Sequence, residues 1–448
     1  MKKSPWAWVP TLYFAEALPY VAVMTISLIM YKRLGMSNTD ITLYTSWLYL
    51  PWVIKPLWSP FIDLIKTKRW WIIAMQLLIG ASLGGVAFTI PGPYWLQGSL
   101  AFFWLMAFSS ATHDIAADGF YMLGLDQHEQ AYFVGIRSTF YRIATIVGQG
   151  LLVMLAGNLE VVTRNVRYSW SLMFYMMAGL FIAFWLWHNY ILPRPEKSEK
   201  LRVKSEEFPT GDPVGEGMAA ANSSLFTLHS SLWTGFLETL KTFFQKPQVV
   251  AGICFMLFYR MPEGLLAKVS ALFLIDAGHK GGLGLSPAEY GLVQGTVGMI
   301  GLTLGGILGG IVASRDGLKR WLWPMVMAIT LPDLVYVFLA YALPENLLVV
   351  NVCVFIEQFG YGFGFSAYML YLIYYSQGEH KTSHYALCTA FMALSMMIPG
   401  LFAGALQEAV GYRMFFIIVM ITCAMTYIVT ALLKIDPEFG KKTDKESC

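Results

Sequence analysis

The chain has 448 residues, of which 56% are hydrophobic, 15% aromatic and 13% charged, against about a quarter charged in an ordinary soluble domain, which excludes a plain soluble enzyme. The net charge of +3 comes from lysines and arginines at segment ends rather than in one stripe, so nucleic-acid binding has no electrostatic footprint. Cys254, Cys353, Cys388, Cys423 and Cys448 stand apart, without CxxC or metal-like spacing; they read as packing residues, and no metal or cofactor is expected.

In chain order, Lys2 and Lys3 lead into an apolar stretch reaching about Met30. It is too long for the apolar core of a signal peptide and reads as a first membrane span. A bilayer crossing takes about 20 mostly apolar residues. Twelve such stretches lie between charges, glycines and prolines: 6–30, 40–62, 70–91, 97–123, 131–157, 168–192, 248–275, 287–313, 320–343, 346–375, 383–410 and 413–434. The expected fold is therefore an all-α integral membrane protein. Its parts are an N-terminal six-helix bundle (1–192), a linker (193–247), a C-terminal six-helix bundle (248–434) and a tail (435–448). With both termini cytoplasmic, Lys66, Lys68, Arg69, Arg315, Lys319, Arg320, Lys381 and the linker and tail lysines share one side, as the positive-inside rule requires.

The linker opens as the charged, Pro- and Gly-rich RPEKSEKLRVKSEEFPTGDPVGEG, a flexible composition. Farther on, Leu225, Leu228, Leu232, Phe236, Leu240 and Phe243 recur at helical spacing, which predicts an amphipathic helix on the inner membrane face. The two halves echo each other: LGMSNTDI (34–41) and LGLSPAEY (283–290) follow the first and seventh spans, and DLIKTKRWW (63–71) and RDGLKRWLW (315–323) follow the second and eighth. Repeated six-helix halves joined by a long inner loop are the layout of a major-facilitator-type transporter, whose site lies between the halves.

An ionisable residue near a helix centre costs about 2.5–3.5 kcal/mol on insertion scales and needs a reason. Glu16, Asp114, Glu263 and Glu357 fall in spans 1, 4, 7 and 10, the four that line the central cavity in that layout, and are the candidates for proton coupling. In SSATHDIAADGFYM (109–122), Asp114 and Asp118 share a helix face with Ala107, Ala111 and Tyr121. Counting back from the turn into span 5 sets Asp118 level with Arg137 and Asp114 level with Arg142. Asp118 with Arg137, near the membrane edge, reads as a structural pair or gate together with Asp63; Asp114 with Arg142 reads as a cavity-level site. His113 points about 100° away from Asp114 and reads as a satisfied interhelical histidine. Lys55, Arg142, Arg260 and Lys268 are basic groups available to an anionic solute. In FIEQFGYGFGFSAYMLYLIYY (355–375), the face of Glu357 continues through Tyr361, Gly364, Tyr368, Tyr371 and Tyr375. Tyrosines beside a carboxylate suit sugar faces and hydroxyls, and packing is the competing reading. The GYGFG glycines have no strand before them and read as close helix contact rather than a nucleotide loop. Pro19, Pro51, Pro56, Pro262, Pro332 and Pro399 interrupt spans, as hinges or as fixed kinks.

Several of these stretches resemble the AmpG family of muropeptide permeases within the major facilitator superfamily. KPLWSPFID (55–63) is similar to that family's block ending span 2, SSATHDIAADGF to its span 4, FYRIATIVGQG with Arg142 to its span 5, FIEQFGYGFGFSAYM to its span 10 and YALCTAFMALSMMIPGLFAG (385–404) to its span 11. The resemblance implies a bacterial inner-membrane importer of N-acetylglucosaminyl-anhydro-muramyl peptides driven by the proton gradient, with Lys55, Asp114, Asp118, Arg142 and Glu357 at family positions. The chain departs from the family at FAEALP in span 1, where Glu16 is extra, and in the loop after span 2. The expected partners are thus a small solute, protons and membrane lipid. Another sugar, acetyl-CoA or a peptide is the alternative cargo. A membrane-embedded glycosyl transferase is a distant alternative, and neither a DxD motif nor large aqueous loops support it.

Overall fold

The computed structural model describes residues 4–125, 127–194, 238–378, 381–437 and 439. Side chains at a few further positions, Asp63 among them, lie outside the description, as do residues 225–237 of the expected amphipathic helix; residues 238–244 are helical. The described residues make twelve helical passages: α1 Pro5–Arg33, α2 38–65, α3 Lys68–Thr89, α4 Trp95–Gly124, α5 127–163, α6 Val166–Ile191, α7 Val249–Ile275, α8 Pro287–Asp316, α9 Leu318–Ala342, α10 Leu347–Ser376, α11 381–410 and α12 412–431. Most are long and apolar enough to cross a membrane. Apolar side chains such as Phe88, Leu151, Ile311, Phe402 and Ile421 are exposed on their outer faces, the arrangement lipid favours.

Local chemistry sets the ends and breaks. Gly35 and Gly284 take positive φ of 88° and 71°, and two residues on, Ser37 and Ser286 cap α2 and α8 by accepting from the backbone N–H groups of Asp40 and Glu289. The LG-x-S repeat is therefore a repeated turn and N-cap. Prolines account for interruptions at similar depth: α2 breaks at Leu48–Tyr49 before Pro51, α7 at Tyr259–Arg260 before Pro262, and α9 through a 3₁₀ turn at Leu331–Asp333 containing Pro332. A proline has no N–H to donate and crowds the residue before it out of the helical region. Gly411, at φ 75°, separates α11 from α12.

Within the first half α3 packs on α4 and α6, and α1 lies against both α4 and α5; within the second α8 packs on α10, α9 on α10 and α7 on α11. The α8–α10 contact is a glycine seam. A Cβ at Gly301 or Gly309 would come within 2.8 or 2.7 Å of the Phe355 or Phe363 carbonyl oxygen, and one at Gly305 would collide with the Phe359 carbonyl. The close-contact reading of the span 10 glycines holds, since Gly362 meets the Leu302 carbonyl in the same way.

The halves meet through two antiparallel crossings. In one, Gly404 and Gly400 of α11 lie on Asn38 and Ser46 of α2; in the other, Gly157 and Gly150 of α5 lie on Ala288 and Thr296 of α8. A π-helical turn in each of α5 (Val147–Leu152) and α8 (Val293–Gly298) lies at the second crossing. Bonds between the halves gather toward the end that carries the α1–α2, α7–α8 and α11–α12 loops, away from the chain termini. There Lys32 pairs with Asp276 at 2.7 Å, and Asn38 donates from its backbone to Glu408 at 2.7 Å and from its side chain to Gln407 at 2.6 Å.

Candidate solute path between the halves

Among the described residues, charged side chains gather at three places in the interior. The first lies in the N-terminal half on α1, α2, α4 and α5. Lys55 Nζ donates to Asp114 Oδ2, and Arg137 Nη1 donates to Asp118 Oδ1 at 2.9 Å. Tyr13 ties the second pair down: its hydroxyl donates to Asp118 at 3.0 Å and accepts from Arg137 at 2.8 Å, and its ring lies 4.8 Å below the guanidinium. Glu16, only 7% exposed, stands beside Asp114 in the field of Asp118, and its Oε2 has no hydrogen-bond partner among the described residues.

The Asp118–Arg137 pair thus forms as counted from the turn, whereas the expected Asp114–Arg142 pair does not. Counting assumed that α4 and α5 stay side by side, but α1 packs against both. Only the turn-proximal pair can meet, and Asp114 faces α2 instead. Arg142 crosses to the other half, donating to Thr303 Oγ1 at 3.3 Å. His113 is a buried interhelical histidine in a chain that runs from its Nε2 to Gln76, from Gln76 Oε1 to His188 Nδ1, and from His188 Nε2 to Thr11, with links of 2.9–3.0 Å. No spacing rule signals this chain, because its four members come from four helices. The α-helical stretch Leu50–Ile65 contains Asp63, whose side chain is outside the description.

The second group is Arg260, at the break in α7. It donates to the Tyr361 hydroxyl, its guanidinium lies 4.7 Å from the Phe365 ring centroid and 5.7 Å from those of Tyr361 and Tyr368, and its buried Nε has no partner among the described residues. Tyr20 and Tyr49 of the N-terminal half lie within its electrostatic reach, and Trp52 packs edge-on to Tyr20. Tyr368 and Tyr371 depart from the expected line of ligand-facing tyrosines. Both are buried in an aromatic core with Phe255 and Tyr259, and Tyr368 donates to the Met256 carbonyl at 2.6 Å. Packing claims them because their rings span from α10 to the Phe255–Tyr259 stretch of α7. Lys268, nearer the joined end, donates to Thr45 Oγ1 of α2 at 3.1 Å. Among the described residues no carboxylate lies within ion-pair distance of Arg142, Arg260 or Lys268.

The third group joins Glu263 and Glu357 with Asp333, the last residue of the 3₁₀ turn in α9. The three come from α7, α9 and α10, each offering a carboxylate oxygen within 4.8 Å of the others. Gln358 Nε2 donates to both oxygens of Glu357, at 3.2 and 2.9 Å. No motif announces this triad, since its members are separated by 70 residues and by 24 residues.

Comparison with known proteins places this architecture. The chain is 24% identical over 371 residues to the anhydromuropeptide permease of Escherichia coli strain K12, covering 82% of this chain and 67% of that protein. It is also 24% identical over 420 residues to putative transporter AmpG 4 of Rickettsia conorii, covering 91% of each. Among solved structures it is similar to the nucleoside transporter NupG, with a TM-score of 0.67 at 14% identity over 96% of this chain and 98% of that one. It is likewise similar to a D-xylose–proton symporter, with a TM-score of 0.65 at 12% identity over 96% and 98%. The family model described as Major Facilitator Superfamily matches residues 11–280 and 264–447. With its twelve helical passages and internally repeated halves, the chain belongs to the Major Facilitator Superfamily and is a membrane transporter, not an enzyme.

Proposed function

We propose that the chain is a proton-coupled symporter that imports anhydro-muropeptides, or closely related amino-sugar peptides, into the bacterial cytoplasm. The observation that carries the coupling is Glu16 beside Asp114 with Lys55 on its other side. In this cluster three carboxylates, Glu16, Asp114 and Asp118, face two cations, Lys55 and Arg137. Ionised carboxylates only accept hydrogen bonds and repel one another, so a single proton between Glu16 and Asp114 both joins them and neutralises the cluster. Lys55 competes with that proton for Asp114. A solute anion that draws Lys55 away favours protonation, and a proton favours release of Lys55 toward the anion, which is reciprocal coupling between two ligands.

Arg142, Arg260 and Lys268 supply positive charge free to meet the carboxylates of a peptide stem. Arg260 with Tyr361 adds a planar fork and a ring face suited to an amino sugar. The name of the Escherichia coli relative supports the same solute class. With both termini cytoplasmic, the joined end is periplasmic and the state described faces inward. The bundles 1–192 and 248–434 are then the two bodies that rock, tethered by 193–247, with Asp63 at the cytoplasmic end of α2 as a gate residue. The test is uptake of labelled anhydro-disaccharide peptide into proteoliposomes with and without an inward-directed proton gradient. Gradient-dependent accumulation supports the reading; uptake indifferent to the gradient removes the coupling, and failure of this solute to compete with others removes the cargo.

A further inference from the structure

The acidic triad of the C-terminal half differs from the N-terminal cluster in its charge balance. Glu263, Asp333 and Glu357 are 7%, 3% and 2% exposed. Among the described residues the one cation in their field is Arg260, which acts on Glu263 from beyond ion-pair distance and directs its donor to Tyr361. Ionised together, the three acids would leave two negative charges over, an excess that burial permits only with protons or a cationic ligand in place.

A separate observation points the same way. Tyr336, one helical turn after Asp333 and 1% exposed, holds its hydroxyl in the field of Glu357 and Glu263. Ser270 lies beside that hydroxyl without completing a hydrogen bond, so the oxygen has no partner among the described residues. The Cys423 thiol, 3.7 Å from Asp333 Oδ2, is too weak a donor to satisfy the acid. The cluster therefore presents three carboxylates and an unused phenolic oxygen, all of them hard ligands, at the breaks in α7 and α9.

We propose that Glu263, Asp333 and Glu357, with the hydroxyl of Tyr336, bind a hard metal cation of the alkali or alkaline-earth class inside the C-terminal half. Oxygen ligands of such ions lie about 2.3–2.6 Å from the metal, so two oxygens across one ion are roughly 5 Å apart. The 4.8 Å spread of the carboxylate atoms fits around a single ion. Oxygen-only donors select this class over zinc or copper. The ion would link α7, α9 and α10, which carry the Arg260 and Tyr361 groups, and so set the shape of the C-terminal wall of the solute path. The inference goes beyond proton coupling, which rests on the other half.

Cation binding to the purified full-length chain in detergent, measured without solute or gradient, tests it independently of transport. Radiolabelled sodium and radiolabelled calcium are titrated in separate arms at constant ionic strength. Saturable binding of either ion, lost in Asp333→Asn and Glu357→Gln and kept in Glu345→Gln, supports the site, and the arm that binds identifies the ion. Should the carboxylate variants fail to fold, Tyr336→Phe removes one oxygen without changing the charge and lowers affinity by about tenfold. Absence of saturable binding in both arms overturns the proposal. So does unchanged affinity in Tyr336→Phe together with whichever carboxylate variants fold.

Discussion

Lys32 Nζ lies 2.7 Å from Asp276 Oδ1, tying the last turn of α1 to the residue that ends α7. Asp276 also accepts from the Tyr412 hydroxyl and from Asn38 Nδ2 at 3.2 Å, so one carboxylate gathers donors from both halves. Burial pushes its carboxyl up, but the hydrogen bonds from Lys32 and Tyr412 and the lysine charge outweigh it and hold the group below the usual carboxylate range. A depressed value means that the joined end gains stability from the pair above the ordinary carboxylate pKa and loses it only as pH falls through the lower bound-state value. Closure of this end is therefore expected to be constant between about pH 5 and pH 8. Asp276→Asn should raise the labelling rate of a cysteine placed at Thr39 severalfold across that range; a labelling rate equal to that of the parent sinks this reading of the pair.

Lys55 and Asp114 form a half-buried pair, and removing one partner strands the other. Lys55→Met is expected to destabilise the chain by about 3–5 kcal/mol, with Lys55→Met/Asp114→Asn recovering part of the loss. Thermal unfolding of both variants checks this; additive effects would show that the two groups do not interact.

If Asp114 and Glu16 share the transported proton, Asp114→Asn and Glu16→Gln should abolish gradient-driven accumulation while leaving solute exchange across equal pH. Proteoliposome uptake and counterflow, measured side by side, separate the two effects. Full gradient-driven activity in both variants would remove these residues from coupling.

Arg260 stacks on rings as well as carrying charge, and lysine supplies only the charge. Arg260→Lys should cost about 0.5–2 kcal/mol of solute binding, read as a KM raised by about twofold to thirtyfold with a smaller change in maximal rate. An unchanged KM would take Arg260 out of the solute path.

The α8–α10 seam leaves no room at Gly305, whereas a Cβ at Gly310 meets nothing within 4 Å. Gly305→Ala should destabilise by about 1–3 kcal/mol, and Gly310→Ala should be near neutral or slightly stabilising. Melting temperatures in detergent decide it, and equal behaviour of the two variants would contradict the packing described.

What the sequence by itself determined is whatever depends on neighbours along the chain. Apolar length set the membrane passages, the LG-x-S repeat set the caps at Ser37 and Ser286, and Pro51, Pro262 and Pro332 set three helix breaks, whereas Pro19 and Pro399 lie within continuous helix. Helical periodicity also showed which residues share a face with Asp114. It could not show what that face meets, because the partner depends on which helix packs alongside. With α1 lying against both α4 and α5, Asp114 went to Lys55 and Arg142 went to the opposite half. The same holds for the carboxylates of Glu263, Asp333 and Glu357 and for the rings around Arg260, which come from separate helices. Burying a charge obliges it to find a counter-group, but only the three-dimensional order of the helices decides which one is within reach.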